Sequence, residues 1–226
     1  MRFVNLFKWD MKFQARYGFY LLYGFLTALY VIILYSFPVS WKENTAAILI
    51  FSDPAAMGLF FMGAIVLMEK SQRVTSFFAV TPLKAFEYVC SKVLSLGAIA
   101  VFVAALLAKA AGCRSLLLVI TGTLLSSILF TLFGVIIATK ITSLNQFILA
   151  TVPVEIIGFV PAILHLFGVT PAFCRIDPAN ACMDMIAGKG FSIAGFLVTF
   201  TVIILLFCMA KKCVEKMGQG QGGIKI

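Results

Sequence analysis

Three stretches of this chain carry no charged residue over a length that matches the hydrocarbon of a bilayer: residues 19–37, 115–139 and 191–210. At a rise of about 1.5 Å per residue, about 20 helical residues cover the roughly 30 Å of hydrocarbon. A backbone in that medium has no water to bond and must close its hydrogen bonds internally. Long unbroken apolar runs do so as helices. Three further stretches, 44–68, 88–108 and 146–167, hold only Asp53, Lys92, Glu155 and His165 as charged or imidazole side chains. The chain is 62% hydrophobic and 12% charged, whereas soluble domains hold about 45–50% and about 25%. That much apolar surface cannot be hidden inside a globule of 226 residues. A soluble enzyme, a DNA-binding domain and a disordered tail are excluded. The expected fold class is an all-α membrane protein with six transmembrane helices, forming a single domain over residues 1–226.

Residues 1–18 read differently. At helical spacing Phe3, Val4, Phe7 and Met11 share one face, and Arg2, Asn5, Lys8, Lys12 and Arg16 the other. Such a pattern describes an amphipathic helix lying in the membrane interface. It does not read as a signal peptide, because the following apolar run is too long and Pro38, Val39 and Trp41 offer no small-residue cleavage site. Six spans put both termini on one side. With that side inside, 13 of the 18 Lys and Arg are inner, and only Lys42, Lys109, Arg114, Arg175 and Lys189 are outer. The positive-inside rule then makes both termini cytoplasmic. The net charge of +9 sits at the ends of apolar runs, so its partners are anionic headgroups and not nucleic acid. Residues 211–226 read as a tail that is basic and then Gly-rich, with 218–223 as a flexible end.

The membrane-embedded polar groups each have a structural and a functional reading. Asp53 precedes Pro54 and reads first as a helix N-cap at the outer interface, with Pro54 in the first turn. A substrate or proton role is the alternative. Glu155 lies near mid-span between Pro153 and Pro161, which should kink or break that helix. An acid there must be paired, protonated or wet, so a place on a substrate path is as reasonable as a structural contact. Lys92 reads as snorkelling inward, and His165 as a polar anchor near the outer end of span five. The six cysteines show no metal-ligand spacing. Cys174 and Cys182 share one outer loop, where they are either a disulfide or two buried thiols. No catalytic residues and no metal site are expected. Gly58, Gly63, Gly122 with Ser126 and Ser127, and Gly134 with Ala138 allow close helix packing.

The connector between spans two and three is the most informative segment. It runs from Glu69-Lys70 through Arg73 and an apolar patch (Phe77, Phe78, Val80) to Thr81-Pro82-Leu83, Glu87-Tyr88 and Lys92. Thr81 fits an N-cap with Pro82 at the first helical position. An acid–base pair after span two, then Thr-Pro-Leu, Glu-Tyr and a Lys entering span three, resembles the permease subunits of ATP-binding-cassette (ABC) exporters of the second exporter type. Lys8-Trp9-Asp10, Phe51-Ser52-Asp53-Pro54 and Glu69-Lys70 are similar to short permeases of fluoroquinolone export.

The resemblance covers the whole chain in layout. It implies an N-terminal interfacial helix, six spans over residues 19–210, and a connector acting as a cytoplasmic coupling helix. It also implies a last loop that dips back toward the membrane. There Asp177-Pro178 would cap a short helix running to about Ala187 and stopped by Gly188. Glu69, Lys70, Arg73, Thr81, Pro82 and Glu87 would couple to an ATPase, and Asp53 and Glu155 would lie on the substrate path. The chain has no GxxxxGK[ST] phosphate loop, so ATP and Mg would belong to a separate ABC ATP-binding subunit. A second permease copy or homologous permease would complete the translocation unit in a bacterial plasma membrane. The implied function is efflux of drugs such as fluoroquinolones or another amphipathic substrate. On the residues alone, a proton-coupled secondary transporter using Asp53 or Glu155 stays open. So does a non-transport membrane scaffold or immunity protein.

Overall fold

A computed structural model describes residues 2–72, 84–113 and 115–222 of the chain. Every regular element among them is helical: α1 (Arg2–Arg16), α2 (Phe19–Ser36), α3 (Val39–Ser52), α4 (Met57–Ser71), α5 (Ala85–Ala111), α6 (Leu116–Lys140), α7 (Leu144–Leu166), α8 (Pro178–Ile186) and α9 (Ile193–Gly222). Six spans are long and apolar enough to cross a membrane, with α3 and α4 forming one interrupted span over Val39–Ser71. The chain is a multi-pass membrane protein. Successive spans alternate in direction. One end of the bundle therefore gathers α1, the close of α4, the start of α5, the α6–α7 turn and the end of α9. The opposite end holds the α2–α3 and α5–α6 turns and α8.

The core forms around α6, which packs on α4, α5, α8 and α9. Small residues let it do so, because there is no hydrophobic force between helices in lipid and contact depends on close approach. Gly134 of α6 lies under α4, where an added Cβ would stand 2.7 Å from the Gly58 carbonyl oxygen and 2.9 Å from Met62 Cβ. Gly122 gives the same room to α8, with Met185 Cβ 2.9 Å from the place of its missing Cβ. The glycine groups picked out by their spacing thus lie at the tightest helix contacts.

α8 has the expected caps. The Asp177 carboxylate accepts from the amides of Ala179 and Asn180, Pro178 opens the helix, and Gly188 follows it at φ 66°. Cys174 and Cys182 are both free thiols. Cys182 is enclosed in α8, where burial and then the nearby Asp177 charge push its thiol pKa up to about 12, so it stays a protonated apolar group.

Several expectations are corrected. Residues 39–43, between the first two apolar stretches, form the first turn of α3, since Pro38 sits before the helix and nothing in Trp41-Lys42-Glu43 opposes it. Asp53 is not an N-cap: it closes α3, and α4 starts only after Ala56 with no side-chain cap. Pro54 restricts the residue before it away from helix, which ends α3 at Ser52. α7 runs unbroken through Pro153 and Pro161, as membrane helices allow when neighbouring groups take up the freed carbonyls. α9 continues to Gly222, so the tail is helical over residues 211–222, and the end read as flexible is helix as far as 222. Ala210, Val214 and Met217 are buried on one face there, and Lys211 pairs with Glu215 one turn on at 3.7 Å.

Candidate functional site

A charged cluster is buried at the end of the bundle that holds the start of α5. Lys92 lies two turns into α5 and is 1% exposed. It does not snorkel. Its ammonium donates to Asp10 Oδ1 of α1 at 2.6 Å and to Glu69 Oε1 of α4. The other oxygen of each carboxylate is also used. Ser91 donates to Asp10 Oδ2, and the Tyr88 hydroxyl donates to Glu69 Oε2 at 2.6 Å. The ammonium also lies 5.1 Å from the Tyr88 ring centre and 5.9 Å from that of Trp9, distances at which an aromatic face attracts a cation. Two acids and one base leave one net negative charge, which the two hydroxyl donors stabilise. One turn along, Gln14 of α1 donates to Ser95 at 2.9 Å. α1 is thereby clamped to α4 and α5 at once.

Helix periodicity puts these groups in register. Phe3, Phe7, Asp10, Phe13 and Gln14 fall on one face of α1, and the face that meets α5 includes Asp10, Phe13 and Gln14 while Val4 is exposed. On α5, Tyr88, Ser91, Lys92 and Ser95 follow the same 3–4 spacing, and all are buried. Asp10, Gln14, Tyr88, Ser91 and Ser95 were not singled out from the sequence as a site, and Lys92 was given a different role. The legible signal was Asp10 itself: an acid on the apolar face of an amphipathic helix needs a buried cation.

Lys70, next to Glu69, does separate work. Its ammonium donates to the carbonyls of Ala138 at 3.0 Å, Thr139 at 3.2 Å and Ile141 at 2.9 Å. These carbonyls end α6, where no further turn can satisfy them, and the negative end of the helix dipole also favours a cation there. Lys70→Met should raise hydrogen exchange across residues 139–146 about tenfold, as a net loss of about 1.4 kcal/mol would. Unchanged exchange would show that water replaces the ammonium at no cost.

The other expected residues distribute as follows. Glu87 accepts the Lys84 amide at 3.1 Å and so caps α5. Arg73, Thr81 and Pro82, with the expected N-cap at Thr81, lie outside the described residues. Asp53 stands at the α3–α4 interruption. Glu155 is half-buried on α7 with no hydrogen bond or ion pair among the described residues. His165 is buried and meets Asp184 of α8 at 3.1 Å and Thr170 at 2.5 Å, so it ties α7 to α8 and is not an interfacial anchor. Glu69 and Lys70 therefore lie in one structural joint, with Glu87 next to Tyr88 on α5, and Asp53 and Glu155 lie elsewhere.

The joint offers no nucleophile and no general base poised toward a cleft. What it can do is mechanical. It fastens the last turn of α4 and the first turns of α5 to α1. Lys70 fastens α4 to the α6–α7 turn, and Gln72 donates to the Tyr17 hydroxyl at 2.7 Å just beyond α1. The connector leaves from Gln72 and returns at Lys84.

Residues 1–216 match the model of the fluoroquinolones export permease protein family. The chain is 27% identical over 218 residues to a fluoroquinolones export permease protein of Mycobacterium tuberculosis strain CDC 1551 / Oshkosh, covering 94% of this chain and 92% of that protein. The same identity and coverage hold for a fluoroquinolones export permease protein of strain H37Rv.

Proposed function

This chain belongs to the fluoroquinolones export permease protein family, and we propose that it is the membrane-spanning subunit of an ATP-driven exporter of amphipathic drugs, fluoroquinolones among them. The observation that carries this reading is the buried Asp10–Lys92–Glu69 clamp at both ends of the connector. A segment that only joined two spans would not need its two ends locked to a third helix by desolvated charge. A segment that receives force would.

In this reading both termini face the cytoplasm of a bacterium, across its plasma membrane. The connector, with Arg73, Thr81 and Pro82, docks on a separate ABC subunit that binds ATP and Mg. Glu69 and Lys70 hold its leaving end, and Glu87 and Lys92 its returning end. A second permease copy or a homologous permease faces this one across the transport path. ATP-driven closure of the partner pushes the connector, and the clamp carries α1, α4 and α5 with it. The apolar cleft between α6, α7 and α9, about 230 Å³, is walled by Phe130, Phe133 and Ile157, meets Asp177 near one rim, and suits the apolar part of an amphipathic substrate.

The test is isolation in mild detergent from the native membrane, then norfloxacin uptake by inverted vesicles. A stoichiometric soluble partner with a phosphate loop should co-purify, and uptake should need hydrolysable ATP. Arg73→Glu should keep the chain in the membrane and lower ATP-dependent uptake by about tenfold through loss of docking. Uptake driven by a pH gradient without nucleotide would overturn the ATP-driven reading.

A further inference from the structure

α1 carries two parallel rows of side chains. Trp9, Phe13 and Tyr17 follow one another four residues apart, with successive ring centres 5.3 and 4.3 Å apart. Lys8, Lys12 and Arg16 repeat the same spacing one position earlier. Residues four apart stack along one face of a helix, so the rows run side by side. A cleft of about 510 Å³ lies between these rows and the close of α4. It is lined by Trp9, Lys12, Phe13, Arg16, Tyr17 and Gln72. Gln72 donates to the Tyr17 hydroxyl at 2.7 Å, which leaves the proton of that hydroxyl free to donate in turn.

The cleft holds two positive charges and no negative one. Lys12 and Arg16 are exposed, and neither meets a carboxylate among the described residues. Like charges one turn apart repel. The carboxylates at this end of the bundle are engaged elsewhere: Asp10 and Glu69 with Lys92, Glu87 with the Lys84 amide, and Glu215 with Lys211. The sequence of residues 73–83 contains no acid either. The counter-charge therefore comes from outside the chain. An amphipathic helix in the interface sets its basic row at the depth of the lipid phosphates, and Trp and Tyr rings settle at the same level. An arginine fork matches a phosphate bidentately, and a lysine meets it as a point charge.

We propose that this cleft binds the headgroup phosphate of an anionic phospholipid, with Arg16 and Lys12 as its ligands, the Tyr17 hydroxyl as a further donor and Trp9 along the glycerol region. The Trp9 ring also lies 5.9 Å from the Lys92 ammonium, so the bound lipid braces the same turn of α1 that the clamp holds.

The experiment uses the purified full chain in phosphatidylcholine nanodiscs. The chain has two tryptophans, and Trp41 lies in the first turn of α3 at the other end of the bundle. Trp41→Phe leaves Trp9 as the reporter. Its fluorescence is titrated with brominated phosphatidylglycerol or brominated phosphatidylcholine. Phosphatidylglycerol should quench at a mole fraction at least about tenfold lower, since each cation near an anionic surface contributes about fivefold. Lys12→Gln with Arg16→Gln should abolish that preference, and Arg16→Lys should keep most of it. Lys212→Gln with Lys216→Gln removes the same charge from α9 at the same end of the bundle and should leave the preference intact.

No preference in the Trp41→Phe chain, a preference that survives the α1 pair of substitutions, or equal loss for the α1 and α9 pairs would overturn the proposal. The last would report only a general surface potential. Inorganic phosphate at constant ionic strength should not displace the lipid; displacement would assign the cleft to a free anion and also overturn it. If the α1 pair fails to fold, Lys12→Gln alone decides: a loss of about fivefold supports the site and none removes it.

Discussion

Lys92→Met is expected to destabilise the folded chain by about 3–5 kcal/mol, the cost of removing one member of a buried ion pair. The methionine fills similar space, so little of the loss comes from packing. The loss comes from charge. Asp10 and Glu69 would face each other in a pocket where Lys92 is 1% exposed, with only Ser91 and Tyr88 left as donors. Two like charges without a cation repel each other in a site closed to water. α1 should therefore release first, since its hold on α5 runs through Asp10 and Gln14.

The measurement is thermal unfolding in detergent, with timed trypsin cleavage at Lys8, Lys12 and Arg16. Lys92→Met should lower the melting midpoint and speed release of α1. Asp10→Asn should do less, because Lys92 and Glu69 remain a neutral pair. The triple variant with Asp10→Asn, Glu69→Gln and Lys92→Met should recover most of the loss, because replacing a whole buried ion cluster by neutral groups is often close to neutral. Its expected failure is in transport, where the clamp no longer forces α1, α4 and α5 to move together. Lys92→Met with wild-type stability would show that the clamp is neither buried nor ionic.

The spans were legible because the hydrocarbon imposes length and polarity on every residue in them. α2, α6 and α7 begin and end within two residues of the stretches read from apolarity alone. Errors concentrate where a second influence acts. α3 starts early and α9 runs late because a helix in the interface or in water needs only propensity and one packed face, which hydropathy does not report. The α8 caps were legible, since Asp-Pro opening and Gly closing are local chemistry. The clamp was only half legible. Glu69 and Lys70 stood out as a pair, but their partners come from residues 19 to 71 positions away in sequence. Spacing on one helix shows that Asp10 is misplaced for an apolar face. It cannot show which of several basic residues answers it. Asp53 was misread for a related reason: Pro54 marks a helix boundary without saying whether the residue before it ends one helix or opens the next.

Gly58→Ala is expected to be the most damaging single methyl in the chain. A Cβ on Gly58 would overlap the Thr131 hydroxyl and stand 2.7 Å from the Thr131 Cα. A side chain can turn away, but a backbone atom cannot, so α4 and α6 must separate. That contact lies at the centre of the bundle, and Gly134 allows it from the other side. Overpacking costs about 1–3 kcal/mol where side chains can adjust, occasionally more, and helix separation in lipid also forfeits the dispersion contacts that hold the pair. The expected result is a lower yield of folded protein and a fall in melting midpoint larger than for any other Gly→Ala change on α4–α6.

Gly97→Ala on α5 is the matched control. Its Cβ would meet Leu124 Cδ1 at 3.5 Å and Ser127 Oγ at 3.9 Å, which is ordinary contact. A methyl there should be tolerated, or should stabilise slightly through helix propensity. Thr131→Ala should not rescue Gly58→Ala, because the Cα obstruction remains. Rescue by Thr131→Ala would mean that the hydroxyl alone sets the spacing of α4 and α6. Equal behaviour of Gly58→Ala and Gly97→Ala would mean that the two helices are not in backbone contact at all.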